Sequence, residues 1–258
     1  MNARDFLQQI GLAAHVKAPA RSSAKPATVV CVGLDRKTQA IDALITAREE
    51  QIARLQEKRA SLIHRAVTKG ITEGVEMKDS GIEWVGEIPK GWTKSRIKFE
   101  FKNLNYKRIP LSAEERGKRQ GVYPYYGASN IIDYVDDYLF EEDTILIAED
   151  GANLVHRNLP LAVYARGKYW VNNHAHILLP KDRQFIFWLS LLEAIDYNPW
   201  ISGSAQPKLT AEAISNVEFA LPPLSERKLI ATYLEQKTNQ IDTLITTVQQ
   251  TITTLKEY

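Results

Sequence analysis

The sequence predicts a mixed α/β (α+β) domain flanked by two long helices that pair as a coiled coil, and three observations carry that prediction. The stretch LDRKTQAIDALIT at 34–46 returns as LEQKTNQIDTLIT at 234–246. Each copy opens a run free of glycine and proline, from Asp35 to Lys69 and from Leu224 to Tyr258, with residues recurring at alternating steps of four and three. Between the copies the chain breaks into short β-rich runs separated by Gly, Asn and Pro, the residues of tight turns.

In the first copy the recurring positions are Leu34, Thr38, Ile41, Ile45, Arg48, Ile52, Leu55, Arg59 and Leu62. In the second they are Leu234, Thr238, Ile241, Ile245, Val248, Ile252 and Leu255. This is a heptad seam, and the Glu, Gln, Lys and Arg between seam positions favour one continuous helix of about 50 Å in each case. Gly70 supplies the stop for the first. A narrow apolar stripe cannot be hidden by its own helix, so each copy needs a partner and the other copy is the obvious one. The pattern leaves open whether the pair forms within one chain or between two.

The organisation that follows is an N-terminal segment, 1–33; a long helix, 34–70; a turn-rich entry, 71–92; a compact domain, 93–222; and a C-terminal long helix, 223–258. Within the domain, DTILIA (Asp143–Ala148), LAVYA (Leu161–Ala165), KYWV (Lys168–Val171) and AHILLP (Ala175–Pro180) read as strands. DRQFIFWLSLLEAID reads as an amphipathic helix, and NVEFALPP as a last strand that Pro222 and Pro223 end. In the N-terminal segment ARDFLQQIGLAAHV suits a short helix and KAPARSSAKPAT a flexible tract.

With 258 residues and 44% hydrophobic content the chain can bury a substantial core. It holds no run of eighteen apolar residues and no signal-peptide pattern at its start, so neither a membrane-spanning helix nor a signal peptide is expected and the cytoplasm is the expected location. Cys31 has no second cysteine to bond and reads as a small buried apolar residue. Net charge is only +2, but TKSRIKFEFKNLNYKRIP is basic while DYVDDYLFEEDTILIAED holds eight carboxylates and neither Lys nor Arg. Such segregation suits one basic face offered to a polyanion.

Candidate binding residues fall in the turns. YPYYGASN sets Tyr125, Tyr126, Ser129 and Asn130 around a glycine, a mix able to offer aromatic faces, amides and hydroxyls to base edges or the sugar-phosphate chain, with Tyr123 assigned to the core. VNNHAH offers Asn172, Asn173, His174 and His176. The asparagines suit turns or bidentate pairing with adenine, and the histidines lack a third metal ligand. GSAQPKLT places Gln206 and Lys208 in a Gly-containing loop just before a helix start at Thr210, where a phosphate contact fits. Lys94, Arg96, Lys98, Lys102, Lys107 and Arg108 are expected as solvated charges, some touching phosphate without sequence preference.

Catalytic signals are weak. Glu149 and Asp150 end a strand, but no Lys follows at nuclease spacing, and Asp-Gly is an ordinary hairpin turn. DYNPW lacks the second proline of the amino-methyltransferase motif, and no glycine-rich strand-to-helix turn for S-adenosylmethionine occurs. No catalytic residue, metal or cofactor is expected on this chain.

The run LPPLSERKLIATYLEQKTNQIDTLI resembles the segment that follows a target recognition domain in specificity subunits of Type I restriction-modification enzymes. KDSGIEWVGEIPKGW, YYGASNIIDYV, TILIAEDGANL, KYWVNNHAHIL and GSAQPKLT are similar to the successive blocks of such a domain. The resemblance runs in order from about Leu34 to the C-terminus. It implies a family in which two recognition domains, each followed by a long helix, read the two halves of a split DNA site, the helices packing antiparallel as a ruler. This sequence departs from that pattern, since only 33 residues precede the first helix and RSSAKPATVVCVG shares almost nothing with LPPLSERKLIATY. The resemblance therefore implies a truncated subunit that reads a half-site in double-stranded DNA and recruits methyltransferase subunits, and through them the restriction subunit. S-adenosylmethionine, ATP and Mg would be held by those partners, and two copies could pair through their helices. The other reading it leaves is a protein that occupies the modification subunits and alters assembly without reading DNA, or a decayed fragment.

Overall fold

The computed structural model describes residues 26–257, with side chains from residue 36 on. Its first element, α1, spans Pro26–Lys69. Proline suits the first helical position, where no N–H is needed. The helix thus reaches back through Gly33, so 26–33 are helical rather than flexible as expected. The cost of one glycine, about 1 kcal/mol, is small beside an unbroken hydrogen-bond ladder. The rest of that segment, including the short helix expected at 3–16, lies outside the described residues, as does the side chain of Leu34. Gly70 ends α1 in the left-handed conformation (φ +78°), as a helix stop requires. A Cβ there would meet Glu226 Oε1 at 3.0 Å and the Trp92 ring at 3.3 Å, so close packing as well as φ demands glycine.

The described chain forms two compact units, Ala60–Gln236 and the residues before and after it. In the latter, α1 and the C-terminal helix lie side by side. Arg59 Nε donates to Asp242 Oδ1 at 2.9 Å, and Lys256 Nζ stands 3.8 Å from Glu49. Descending numbers on one helix meet ascending numbers on the other, so the two run antiparallel. Ile241, Val248, Ile252 and Leu255 are buried, and Ile41, Ile45, Ile52, Leu55 and Ile245 are half-buried amid exposed neighbours.

The larger unit is built on short strands. β1 (Met77–Asp79) and β2 (Glu87–Pro89) form a ribbon in the entry segment. β3 (Thr93–Arg96) leads through α2 (Ile97–Glu100) to β4 (Phe101–Asn103). After α3 (Ala113–Lys118), whose Ser112 and Glu115 form a capping box, β5 (Gln120–Tyr126) and β6 (Ile131–Val135) make a hairpin. Then come β7 (Thr144–Ala148), α4 (Asn153–His156), β8 (Ala162–Ala165), β9 (Trp170–Val171) and β10 (Ala175–Pro180). The chain closes with α5 (Phe185–Ala194), α6 (Ala211–Asn216), β11 (Glu218–Leu221) and α7 (Leu224–Lys256).

The main sheet has the order β4-β10-β7-β8, antiparallel throughout. Every residue of β7 and of β10 is buried. That explains why both strands read as continuous apolar runs rather than alternating ones. Trp188 of α5 anchors the core, edge-on to Phe101 at 4.7 Å and to Phe219 at 5.6 Å. A second sheet, β6-β5-β9, pairs β5 with β9 in parallel. β11 pairs with β3, so the last strand of the domain closes against its first.

Candidate nucleic-acid interface

Four turns separated in sequence meet at one end of these sheets. They are the β5–β6 turn (127–130), the segment after β7 (149–153), the β9–β10 turn (172–174) and the loop 202–208. Asn172 N–H donates to Tyr126 O at 3.1 Å, and Asn153 Nδ2 to Ser129 Oγ at 3.3 Å. Glu149 N–H donates to His174 O at 2.9 Å and Gly151 N–H to Pro207 O at 3.1 Å. Leu209 N–H donates to Glu149 O at 2.8 Å. Apart from the Asn153–Ser129 contact these are backbone bonds, and they fix the turns without using the side chains of Asn173, His174, Gln206 or Lys208.

Beneath the tips lies a buried polar network. Arg108 Nη1 donates to Glu149 Oε2 at 2.6 Å and to Ala175 O at 2.9 Å. Lys208 Nζ stands 3.3 Å from the other Glu149 oxygen. Burial pushes the Glu149 carboxyl up, but the Arg108 guanidinium and the Lys208 ammonium outweigh it and hold the group below the usual carboxylate range. His176 is fully buried, its Nε2 2.7 Å from Leu209 O and its Nδ1 2.8 Å from Asn105 Nδ2. A carbonyl can only accept, so Nε2 carries the proton and Nδ1 accepts from the amide. Burial lowers the His176 pKa, which keeps the ring neutral. His176 is thus a structural residue, and among the described residues no group of three His, Cys, Asp or Glu side chains could hold a metal ion.

The sequence-derived candidates divide. Asn130, Asn173, His174, Gln206 and Lys208 are exposed at the tips, and Ser129 is half-exposed beside Asn153. His174 Nδ1 lies 2.8 Å from Asp150 Oδ2, which orients the ring. Tyr125, Tyr126 and Asn172 are corrected, since all three are buried. The Tyr125 hydroxyl accepts from Leu111 N–H at 2.9 Å beneath the Arg116 guanidinium, and Tyr126 packs edge-on to Tyr169 at 5.7 Å. Asn172 Oδ1 accepts from His174 N–H at 2.8 Å, the turn-forming role open to it from sequence.

The basic stretch is largely at the surface, as expected of solvated charges, but several of its cations have partners within the chain. Lys94 and Arg96 both bind Glu218, Lys98 binds Asn216, and Lys107 pairs with Glu142. The carboxylate-rich stretch supplies two of the partners, Glu142 for Lys107 and Glu149 for Arg108, and it also holds Arg116 through Asp133 and Arg119 through Asp136. Much of the charge segregated along the chain is thus paired in space, while Lys102 stays exposed. In DYNPW, Asp196 caps Asn198 N–H and Tyr197 is buried with its hydroxyl on Leu192 O, a local turn. Sequence reasoning missed Arg108, Asn105 and Asn153 as organisers of the site. Asn153, directly after the Asp-Gly turn, carried a signal in its residue type alone.

Known proteins bear on this geometry. The family model described as Type I restriction modification DNA specificity domain matches residues 89–254. A Haemophilus influenzae protein provisionally described as a type I restriction enzyme specificity subunit is 35% identical over 139 residues, covering 52% of this chain and 34% of its own. The Escherichia coli type I restriction enzyme EcoprrI specificity subunit is 25% identical over 139 residues, covering 53% and 32%. The chain spans about a third of the length of these relatives. Two solved structures share the fold. One, from work on complex assembly and conformational transition of the type I R-M system, has a TM-score of 0.62 at 15% identity, covering 98% of this chain and 65% of its own. The other, the S subunit of the M. genitalium type I system, has a TM-score of 0.54 at 17% identity, covering 85% and 57%. With nearly two-thirds of its length inside the family model, and the sheet and loop blocks within that span, the chain belongs to the Type I restriction modification DNA specificity domain family.

Proposed function

We propose that this chain reads one half-site in duplex DNA as a non-catalytic specificity module, through the tips of the four converging turns. The observation that carries the reading is that Asn130, Asn173, His174, Gln206 and Lys208 all stand exposed on turns held together by backbone hydrogen bonds and the Asn153–Ser129 contact. Amides and imidazole suit base edges, and the Lys208 ammonium suits a phosphate. Asn173 and His174 are adjacent and both exposed in the β9–β10 turn.

In the same reading the module works in the cytoplasm with methyltransferase subunits and, through them, a restriction subunit, which hold S-adenosylmethionine, ATP and Mg. The antiparallel contact of α1 with α7 serves as a coiled-coil spacer along the seam, and a second copy paired through these helices would give two identical readers and a symmetric split site. The test is selection from a randomised duplex pool with the full chain, alone and with a modification subunit, followed by footprinting and light scattering. Enrichment of one sequence is expected, as a symmetric split site if two copies pair. A chain that binds the modification subunit but enriches no sequence would overturn the reading in favour of an assembly-modulating role.

A further inference from the structure

The 3-10 turn Asn105–Lys107 adjoins the four turns described above, and of its residues only Lys107 was a sequence-derived candidate, as a surface charge. Residues on both sides fix it. Asn105 Nδ2 donates to His176 Nδ1 at 2.8 Å while its Oδ1 accepts from Ile177 N–H at 2.8 Å. Arg108 Nε donates to Asn105 O at 3.1 Å, and its Nη1 reaches Glu149 at 2.6 Å and Asn173 O at 3.3 Å. Trp170 Nε1 donates to Ile109 O at 2.6 Å. At the apex of this braced turn Tyr106 is 78% exposed, and Ile109 beside it is 48% exposed. Asn105 and Arg108 are tied inward by these bonds and Lys107 pairs with Glu142 at the surface, which leaves Tyr106 projecting from a braced turn.

An exposed aromatic on a rigid support loses little conformational freedom on binding and offers a π-face and a hydroxyl together. Its support is the same guanidinium that touches Asn173 O, so it is continuous with the proposed reading surface. Resting on the DNA-reading proposal, we infer that the turn 105–109 is a fifth recognition element. Tyr106 contacts the sugar-phosphate chain or a base edge of the duplex, and Asn105 and Arg108 act as its positioning residues.

The experiment uses the full chain and the duplex enriched by selection, with a scrambled duplex as control, and reads affinity at several salt concentrations. Tyr106→Ala is expected to weaken binding to the selected duplex about tenfold. The salt slope should stay unchanged, because an uncharged ring releases no counterions. Tyr106→Phe separates the ring from the hydroxyl: retained affinity assigns the contact to the ring, and a loss equal to that of alanine assigns it to the hydroxyl. Tyr106→Ala with unchanged affinity, in a variant whose thermal melt matches the parent, overturns the inference while leaving the DNA reading intact. Failure of the parent chain to enrich any sequence overturns the reading, and this inference with it.

Discussion

Arg108 and Glu149, 41 residues apart in sequence, meet at 2.6 Å with side-chain exposures of only 16% and 12%. Removing Arg108 leaves Glu149 only the half-exposed Lys208 ammonium at 3.3 Å, whereas removing both members leaves no carboxylate to be partnered. Arg108→Ala is expected to cost about 2 kcal/mol in urea unfolding, and Arg108→Met combined with Glu149→Leu to return most of that loss. Equal destabilisation of the single and double variants would show that the charge pair is not what the fold needs.

Acid should weaken the domain in two stages. His176 titrates lower in the folded chain than in the unfolded one, so its contribution is complete above a pH of about 6.5 and declines as pH falls toward the folded value. Glu149, also depressed, contributes above a pH of about 4.5 and is lost below it. Urea midpoints measured from pH 7.5 to 4 should therefore fall with a slope of at most about 1.4 kcal/mol per pH unit for each group. His176→Gln should flatten the first stage.

Along the paired helices, apolar burial should outweigh charge. Ile252 is 1% exposed, and Ile252→Ala is expected to cost about 2–4 kcal/mol. The Arg59–Asp242 pair, 39% and 48% exposed, should couple by no more than about 0.5 kcal/mol in a double-mutant cycle and should fade in salt.

On DNA, Asn173→Ala and Lys208→Ala should behave differently. Loss of the Asn173 amide is expected to reduce selected-site affinity about tenfold or more while sparing scrambled duplex. Loss of the Lys208 ammonium should weaken both alike and lower the salt slope by about 1. Filter binding across a salt series separates the two patterns.

The long helices and the strands of the main sheet were legible because each repeats one physical requirement over many residues. The seam marks a stripe to be covered, and TILIA and AHILLP mark strands buried on both faces. Tyr125 and Tyr126 of β5 were not legible as core, because Tyr125 is covered by Trp170 of β9 and the Arg116 side chain and Tyr126 by Tyr169, contacts no local pattern announces. Arg108 misled for the converse reason: it sits in a basic run, and only the distant Glu149 turns it inward. The turn blocks themselves stood out by residue type, while the network that unites them depends on pairings across tens of residues.

The His176 ring, with one nitrogen on Leu209 O and the other on Asn105, lies under the turns rather than among their tips. Foundations and lettering are therefore separate. Substitutions at Asn130, Asn173 or Gln206 alter what faces outward without disturbing any buried hydrogen bond of that ring. On the proposed reading, a lineage can thus change the word many times while the page that carries it keeps the same shape.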